Sequence, residues 1–434
     1  MEIPRVARLR QVLDQPVVHD VAGTVRRALA GSKLRSRLKP GGSVALAVGS
    51  RGIANLVTMV EAALRDVEAM GFRPFVVAAM GSHGGATPDG QRQLLADYGV
   101  TEERLRVPVK TDMDVVELGR NSMDFPVYWD RNAFGADAVV TISRIKPHTD
   151  FRGRFESGIL KMLVIGLGKR EGPSAVHQMG VRGLREVMPE SAKVILEKTK
   201  FACGLAVLEN AAEQTAKIKV VEREELFDVE PRLLDEAREL MGRLPFDELD
   251  VLVIGEMGKN YSGAGIDPNV IGRLYIVGQP EPDKPRINRI VVLDLSPESH
   301  GNAAGIGLAD FTTDRLVTAI ERGPFLTNSI VSTFVERSKI PLAFPTDREA
   351  IQAAVDTCWQ VDPARLRLAV VPNTLELTEL WVSPALADRK GMPAHLHVED
   401  SPRPLPFDDD GNLVQKQLFP HSVGGRRSVL YDRR

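Results

Sequence analysis

Residues 43–80, SVALAVGSRGIANLVTMVEAALRDVEAMGFRPFVVAAM, decide the fold. The run at 43–49 is short and apolar, follows Pro40-Gly41-Gly42, and reads as a buried strand. Behind it Ile53, Leu56, Val57, Val60, Leu64 and Val67 recur at helical spacing, and after Gly71 the run Phe75 to Met80 reads as a second strand. Strand, turn, helix and strand in that order favour a parallel pair, because parallel strands need a crossover that a helix fills.

The rhythm spreads outward from there. The turn Gly81-Ser82-His83-Gly84-Gly85 is followed by Thr87-Pro88, a cap and first helical residue. Short extended pieces are expected at 114–118 and 125–129, a strand at Ala138 to Ile142, and a helix through Ile159, Leu160, Leu163, Val164 and Leu167 that Gly166 and Gly168 end. Residues 184–200 read as helical, 204–208 and 216–221 as neighbouring strands, and 223–243 as an amphipathic helix bridging two domains. Val251 to Gly255, Ile290 to Leu295, Ile340 to Phe344 and Leu368 to Val371 restart the strand pattern, with a helix capped by Thr346 or Asp347. There is no sequence repeat. The expected fold class is α/β: two α/β domains with mainly parallel sheets and an interdomain active-site cleft. The expected division is 1–245, 246–400, and a proline- and aspartate-rich tail, 401–434, that runs extended or wraps over the other domain.

Composition narrows the function. A chain of 434 residues with 43% hydrophobic and 26% charged residues is ordinary for a globular protein, and a net charge of -2 suggests neither nucleic acid nor an anionic membrane as partner. Cys203 and Cys358 are the only cysteines, without CxxC spacing, which argues against a disulfide framework or a thiolate metal site. The start, MEIPRVARLRQVLDQP, lacks the apolar core of a signal peptide, and no run approaches the ~20 apolar residues of a membrane span, so a cytoplasmic protein is expected.

The chemistry gathers in RIKPHTDFRGRFESGILKMLVIGLGKREGPSAVH, residues 144–177, which holds two of eight histidines and a lysine among apolar neighbours. Arg51, His83, His148 and Lys259 each follow a predicted strand, beyond its carboxyl end, where open α/β sheets place ligand sites. His83 sits between small residues that leave its ring accessible, and a functional role outweighs that of a bystander turn histidine. His148 follows Pro147 and on its own is equally well a surface loop residue. Lys161 lies between Leu160 and Met162. A snorkelling lysine is the commoner reading there, yet a buried one must be paired, depressed in pKa or covalently used. His177 alone reads as structural. The glycine turns at 49–52, 81–85, 166–168 and 263–265 could cradle a phosphate, but none fits a nucleotide fingerprint.

Together these residues resemble the nickel-pincer-nucleotide lactate racemases. The likeness rests on Ser82-His83, on Lys146-Pro147-His148, on Lys161 followed sixteen residues on by His177, and on the loop GKNYSGAGIDPNVIGR at 258–273. The resemblance implies a racemase or epimerase of a 2-hydroxy acid. Its cofactor is pyridinium-3,5-bisthiocarboxylic acid mononucleotide nickel, joined to Lys161 through a thioamide and supplied by cofactor-biosynthesis proteins. It implies His177 as the protein ligand to nickel and His83 and His148 as two acid/base histidines. Ser50, Arg51 and Lys259 become candidates for the cofactor phosphate or the substrate carboxylate, which a guanidinium fork binds bidentately. The family's Asp-x-Thr-Arg-type turn is replaced by Gly49-Ser50-Arg51, and the interval from His148 to Lys161 is longer, so the resemblance points to a homologue for another 2-hydroxy acid rather than lactate. A homo-oligomer is compatible with the sequence. On the residues alone two other readings stay open: a zinc hydrolase using His83, His148 and His177, and a non-catalytic nucleotide- or anion-binding protein.

Overall fold

The structure is a computed structural model and describes residues 1–50, 52–388 and 390–422. Two compact units share the chain: Gln15–Met241 form one, and Met1–Asp14 join residues 242–422 in the other. The first strand, β1 (Ala7–Gln11), therefore belongs to the second unit's sheet.

The first unit is built on β2 (Ser43–Val48), β3 (Arg73–Ala78), β4 (Val109–Lys110), β7 (Ala138–Arg144), β8 (Phe201–Glu209) and β9 (Thr215–Glu222), with the hairpin β5 (Val115–Arg120) and β6 (Pro126–Asp130) beside it. The sheet order is β4-β3-β2-β7-β8-β9, all parallel except β9. Helix Leu56–Ala69 lays Leu56, Val57, Val60, Leu64 and Val67 onto Val44, Leu46 and Val48, as the spacing in 43–80 predicts. Because the chain moves from β2 outward to β3 and β4 and then returns to β7 on the other side, the strand order reverses between β2 and β7. That is the crevice in which open parallel sheets bind ligands.

The second unit has the order β13-β12-β11-β10-β14-β15-β1-β16, with β10 (Glu248–Ile254), β11 (Arg286–Val292), β12 (Phe311–Thr313), β13 (Leu342–Phe344), β14 (Leu368–Val371), β15 (Glu379–Val382) and β16 (Leu396–Val398). Strands β13 through β14 are parallel; β15, β1 and β16 are antiparallel. The described part of the tail has no helix before Gln415–Leu418 and bridges Val6 to Arg403 and Phe407 to Leu413. It buries Leu405, Leu413, Leu418 and Phe419 in this unit's own core with Val251, Val253 and Val370, and the Trp381 indole donates to the Leu418 carbonyl at 2.9 Å. Among the described residues no helix is long and apolar enough to cross a membrane.

The helix expected through Leu167 is wound differently from the prediction. An α-turn, Ile159–Lys161, passes into a π-turn, Met162–Gly166, whose wider winding shows in the 2.9 Å bond from Leu167 N–H to Met162 O. Likewise the helix expected at 184–200 opens with a π-turn, Gly183–Val187, before Met188–Lys198. Leu46 is 1% exposed on central β2. Leu46→Ala is expected to lower the unfolding free energy by about 2–5 kcal/mol, measured by chemical denaturation.

Candidate active site

Lys161 stands where the α-turn becomes the π-turn, and glycines set how close that turn lies to the sheet. A Cβ on Gly166 would come 2.8 Å from the Ala79 carbonyl oxygen, one on Gly49 would come 2.9 Å from Met162 Cε, and one on Gly81 would meet the Ile165 carbonyl oxygen at 3.0 Å. The glycines after β2 and β3 thus bring the Lys161 segment onto the strand ends. Gly81 also has φ +58° and donates to Gly166 O at 3.0 Å. Of the turns expected to cradle phosphate, those at 49, 81 and 166 are filled by this contact. The π-turn frees the Leu163 carbonyl, which accepts the buried Trp129 indole N–H at 3.1 Å.

The loop between β7 and Lys161 is closed by a bridge between Lys146 and Ser157. Inside it, buried Glu156 accepts the backbone N–H of His148 at 2.6 Å and of Gly153 at 3.0 Å, and is paired with Arg238 at 2.7 Å. This fixes His148, whose side chain is 11% exposed. Its Nδ1 accepts the Asp150 N–H at 3.1 Å, and its Nε2 lies 2.7 Å from Lys161 Nζ. Burial holds the His148 pKa well below the usual histidine value, and the cationic Lys161 lowers it further against the opposing pull of Asp150. The pKa of His177, on helix Glu171–His177, is lowered first by burial and then by Lys161. His148, Lys161 and His177 thus share one electrostatic environment, which favours neutral imidazoles near pH 7.

His83 occupies the turn after β3, exposed, with Nδ1 hydrogen-bonded to the Ser50 hydroxyl at the end of β2. Tyr98 donates its hydroxyl to Ser50 O at 2.9 Å, and Gln91 donates to Gly81 O at 2.9 Å and His83 O at 3.3 Å. Gly84 needs to be glycine: its φ is +65°, and a Cβ would come 2.5 Å from the Gly90 backbone. Of the residues singled out in the sequence, the first unit therefore groups His148, Lys161 and His177, and separately Ser50 with His83. Lys259 lies in the other unit after β10, where its ammonium donates to Gly263 O at 3.0 Å and Ala304 O at 2.5 Å. Arg51 lies outside the described residues. Among those residues no group of three or more His, Cys, Asp or Glu side chains is arranged to hold a metal, so the three-histidine zinc site has no structural support.

Residues 2–187 match the model of the lactate racemase N-terminal domain. Over that stretch the chain is similar to the lactate racemases. The fold agrees with that of the lactate racemase apoprotein from Thermoanaerobacterium thermosaccharolyticum, with a TM-score of 0.51 and 11% identity over 86% of this chain and 99% of that one. No curated protein sequence matches the chain. The matched stretch covers Ser50, His83, His148, Lys161 and His177; Lys259 is beyond it.

Three positions in the first unit escape sequence reading: Glu156, Glu230 and Gln91. Nothing local marks an acid that will cap another element from far along the chain. Glu230, on helix Leu226–Leu240, is fully buried and accepts the Leu160 N–H at 3.0 Å, beside Lys161. Burial pushes its pKa up to about 7, against the pull of the Leu160 and Ile159 amides. A folded-state value above the unfolded one means that native protein holds a proton which the unfolded chain releases between about pH 4.5 and 7. This group's stabilisation is accordingly present below that window and lost as pH rises through it. Removing the titration with Glu230→Gln should make the variant's stability relative to wild type climb between pH 4.5 and 7, by on the order of 3 kcal/mol, and level off above; denaturation across pH checks this.

Proposed function

We propose that the protein racemises or epimerises a small 2-hydroxy acid other than lactate, using a nickel-pincer nucleotide tethered to Lys161. The observation that carries the reading is the convergence of His148, Lys161 and His177 in a stretch similar to the lactate racemases. The residues fit such a group. Acylation of Lys161 removes a charge that its largely buried neighbour His148 feels as repulsion. The environment of His177 favours the neutral imidazole that a metal requires. His177 would hold the nickel as the chain's imidazole ligand, with the nucleotide supplying the other donors. When bound, the group supplies an acceptor for the substrate C2 hydride, which avoids a carbanion beside a carboxylate.

The chain's own residues then handle the proton. Oxidising a 2-hydroxy acid requires a base at its hydroxyl, and reduction of the 2-oxo acid requires the corresponding acid. Two enantiomers present that hydroxyl in different positions, so two histidines serve, His148 held by Glu156 and His83 held by Ser50. The Ser50 hydroxyl can donate to Nδ1 or accept from it, so His83 can present Nε2 as acid or base. Arg51 is the proposed anion-binding residue, for the substrate carboxylate or the cofactor phosphate.

Made alongside cofactor-biosynthesis proteins, the wild type should show an adduct on Lys161 by intact mass, together with nickel, and Lys161→Ala should show neither. A bare lysine with stoichiometric zinc would overturn the reading. His83→Ala should keep the adduct and lose on the order of 100-fold or more in turnover across a panel of chiral 2-hydroxy acids followed by loss of optical activity; unchanged turnover would remove His83 from the mechanism.

A further inference from the structure

Lys169 breaks two local rules at once. Its side chain is 0% exposed and forms an ion pair with Asp130, also 0% exposed, at 3.0 Å. Its backbone has φ +54°, a left-handed conformation that favours glycine or asparagine. A buried ion pair is seldom more stabilising than apolar packing of the same volume. A residue that retains both features is expected to be held for what its contacts position.

Those contacts lead to the His83 turn. Lys169 Nζ donates to Ala78 O, the last residue of β3, at 2.7 Å, and to Gln91 Oε1 at 3.5 Å. The Gln91 amide has one orientation that satisfies its neighbours: its oxygen faces the ammonium, and its NH2 faces the carbonyls of Gly81 and His83. Flipped, it would point hydrogens at a cation and an oxygen at two oxygens. Asp130 is held in turn, since its Oδ1 accepts the Ala133 N–H at 2.7 Å and its own N–H donates to Leu167 O. Lys169 therefore joins the tail of the Lys161 segment to the turn that carries His83.

We infer that Lys169, acting through Gln91, is a positioning residue that sets the His83 ring, and with it the Ser50–His83 hydrogen bond, relative to the Lys161 segment. This rests on reading His83 as an acid/base. Gln91→Glu tests it most directly, because the carboxylate still accepts from Lys169 but has no N–H for the two turn carbonyls. Lys169→Met/Asp130→Asn is the second variant; it avoids a stranded buried carboxylate, and the Asn oxygen can still cap Ala133.

Two readouts separate the outcomes. In 15N-histidine-labelled full-length protein, with His83 assigned by its loss in His83→Gln, both variants should shift the Nδ1 signal that reports the Ser50 bond. In cofactor-loaded protein kcat should fall on the order of 10–100-fold while KM stays within about twofold and the Lys161 adduct mass is unchanged. An unchanged His83 spectrum in either folded variant overturns the inference, whatever the activity. A wild type that racemises no 2-hydroxy acid overturns the functional reading instead, and the spectrum still decides the positioning role.

Discussion

Everything near the candidate site depends on how closely one backbone approaches another. The segment carrying Lys161 lies on the carboxyl ends of β2 and β3, and three glycines, Gly49, Gly81 and Gly166, leave the room a side chain would fill. Close-packed interiors do not tolerate a shift of an ångström without rearrangement. The contact therefore transmits position: Lys161 is placed relative to Ser50 and His83 by atoms that have nowhere else to go. The π-turn belongs to the same constraint, since it redirects the Leu163 carbonyl to the Trp129 indole and lets the chain turn back toward His177.

Buried carboxylates do the rest of the positioning. Glu156 gathers the loop that presents His148, Glu230 takes up an amide beside Lys161, and Asp130 pairs with Lys169 beneath the His83 turn. Each sits where a charge is costly, and each is held by donors that the fold brings from elsewhere in the unit. Burial, and after it the charge of Lys161, leave His148 and His177 in an environment that favours the neutral state. Such an arrangement suits proton exchange near neutrality and the attachment of an electrophile to the amine.

Much of this was legible in advance for a definite reason. In a doubly wound sheet the functional loops follow strand ends, so apolar runs followed by a histidine or lysine mark candidates before any coordinates exist. His83 and His148 stand out as candidates in this way, and Lys161 by its polarity among apolar neighbours. In the tail, prolines and aspartates obscure the spacing of Leu405, Leu413, Leu418 and Phe419, which meet only in the folded core. Strand β1 has the same difficulty, since its partners β15 and β16 lie some 370 residues away in sequence.

The sequence by itself determined the α/β class, the strands around residues 43–80 and the choice of candidate side chains, because hydrophobic periodicity and side-chain chemistry are local properties. Only the tertiary structure decided that His148 Nε2 meets Lys161 Nζ, that Ser50 partners His83, and that Glu156, Glu230, Gln91 and Lys169 hold them. Those contacts join residues up to 91 positions apart, as from Ala78 to Lys169, and are made by groups whose local sequence is unremarkable. Packing specifies them, and packing is a property of the whole unit.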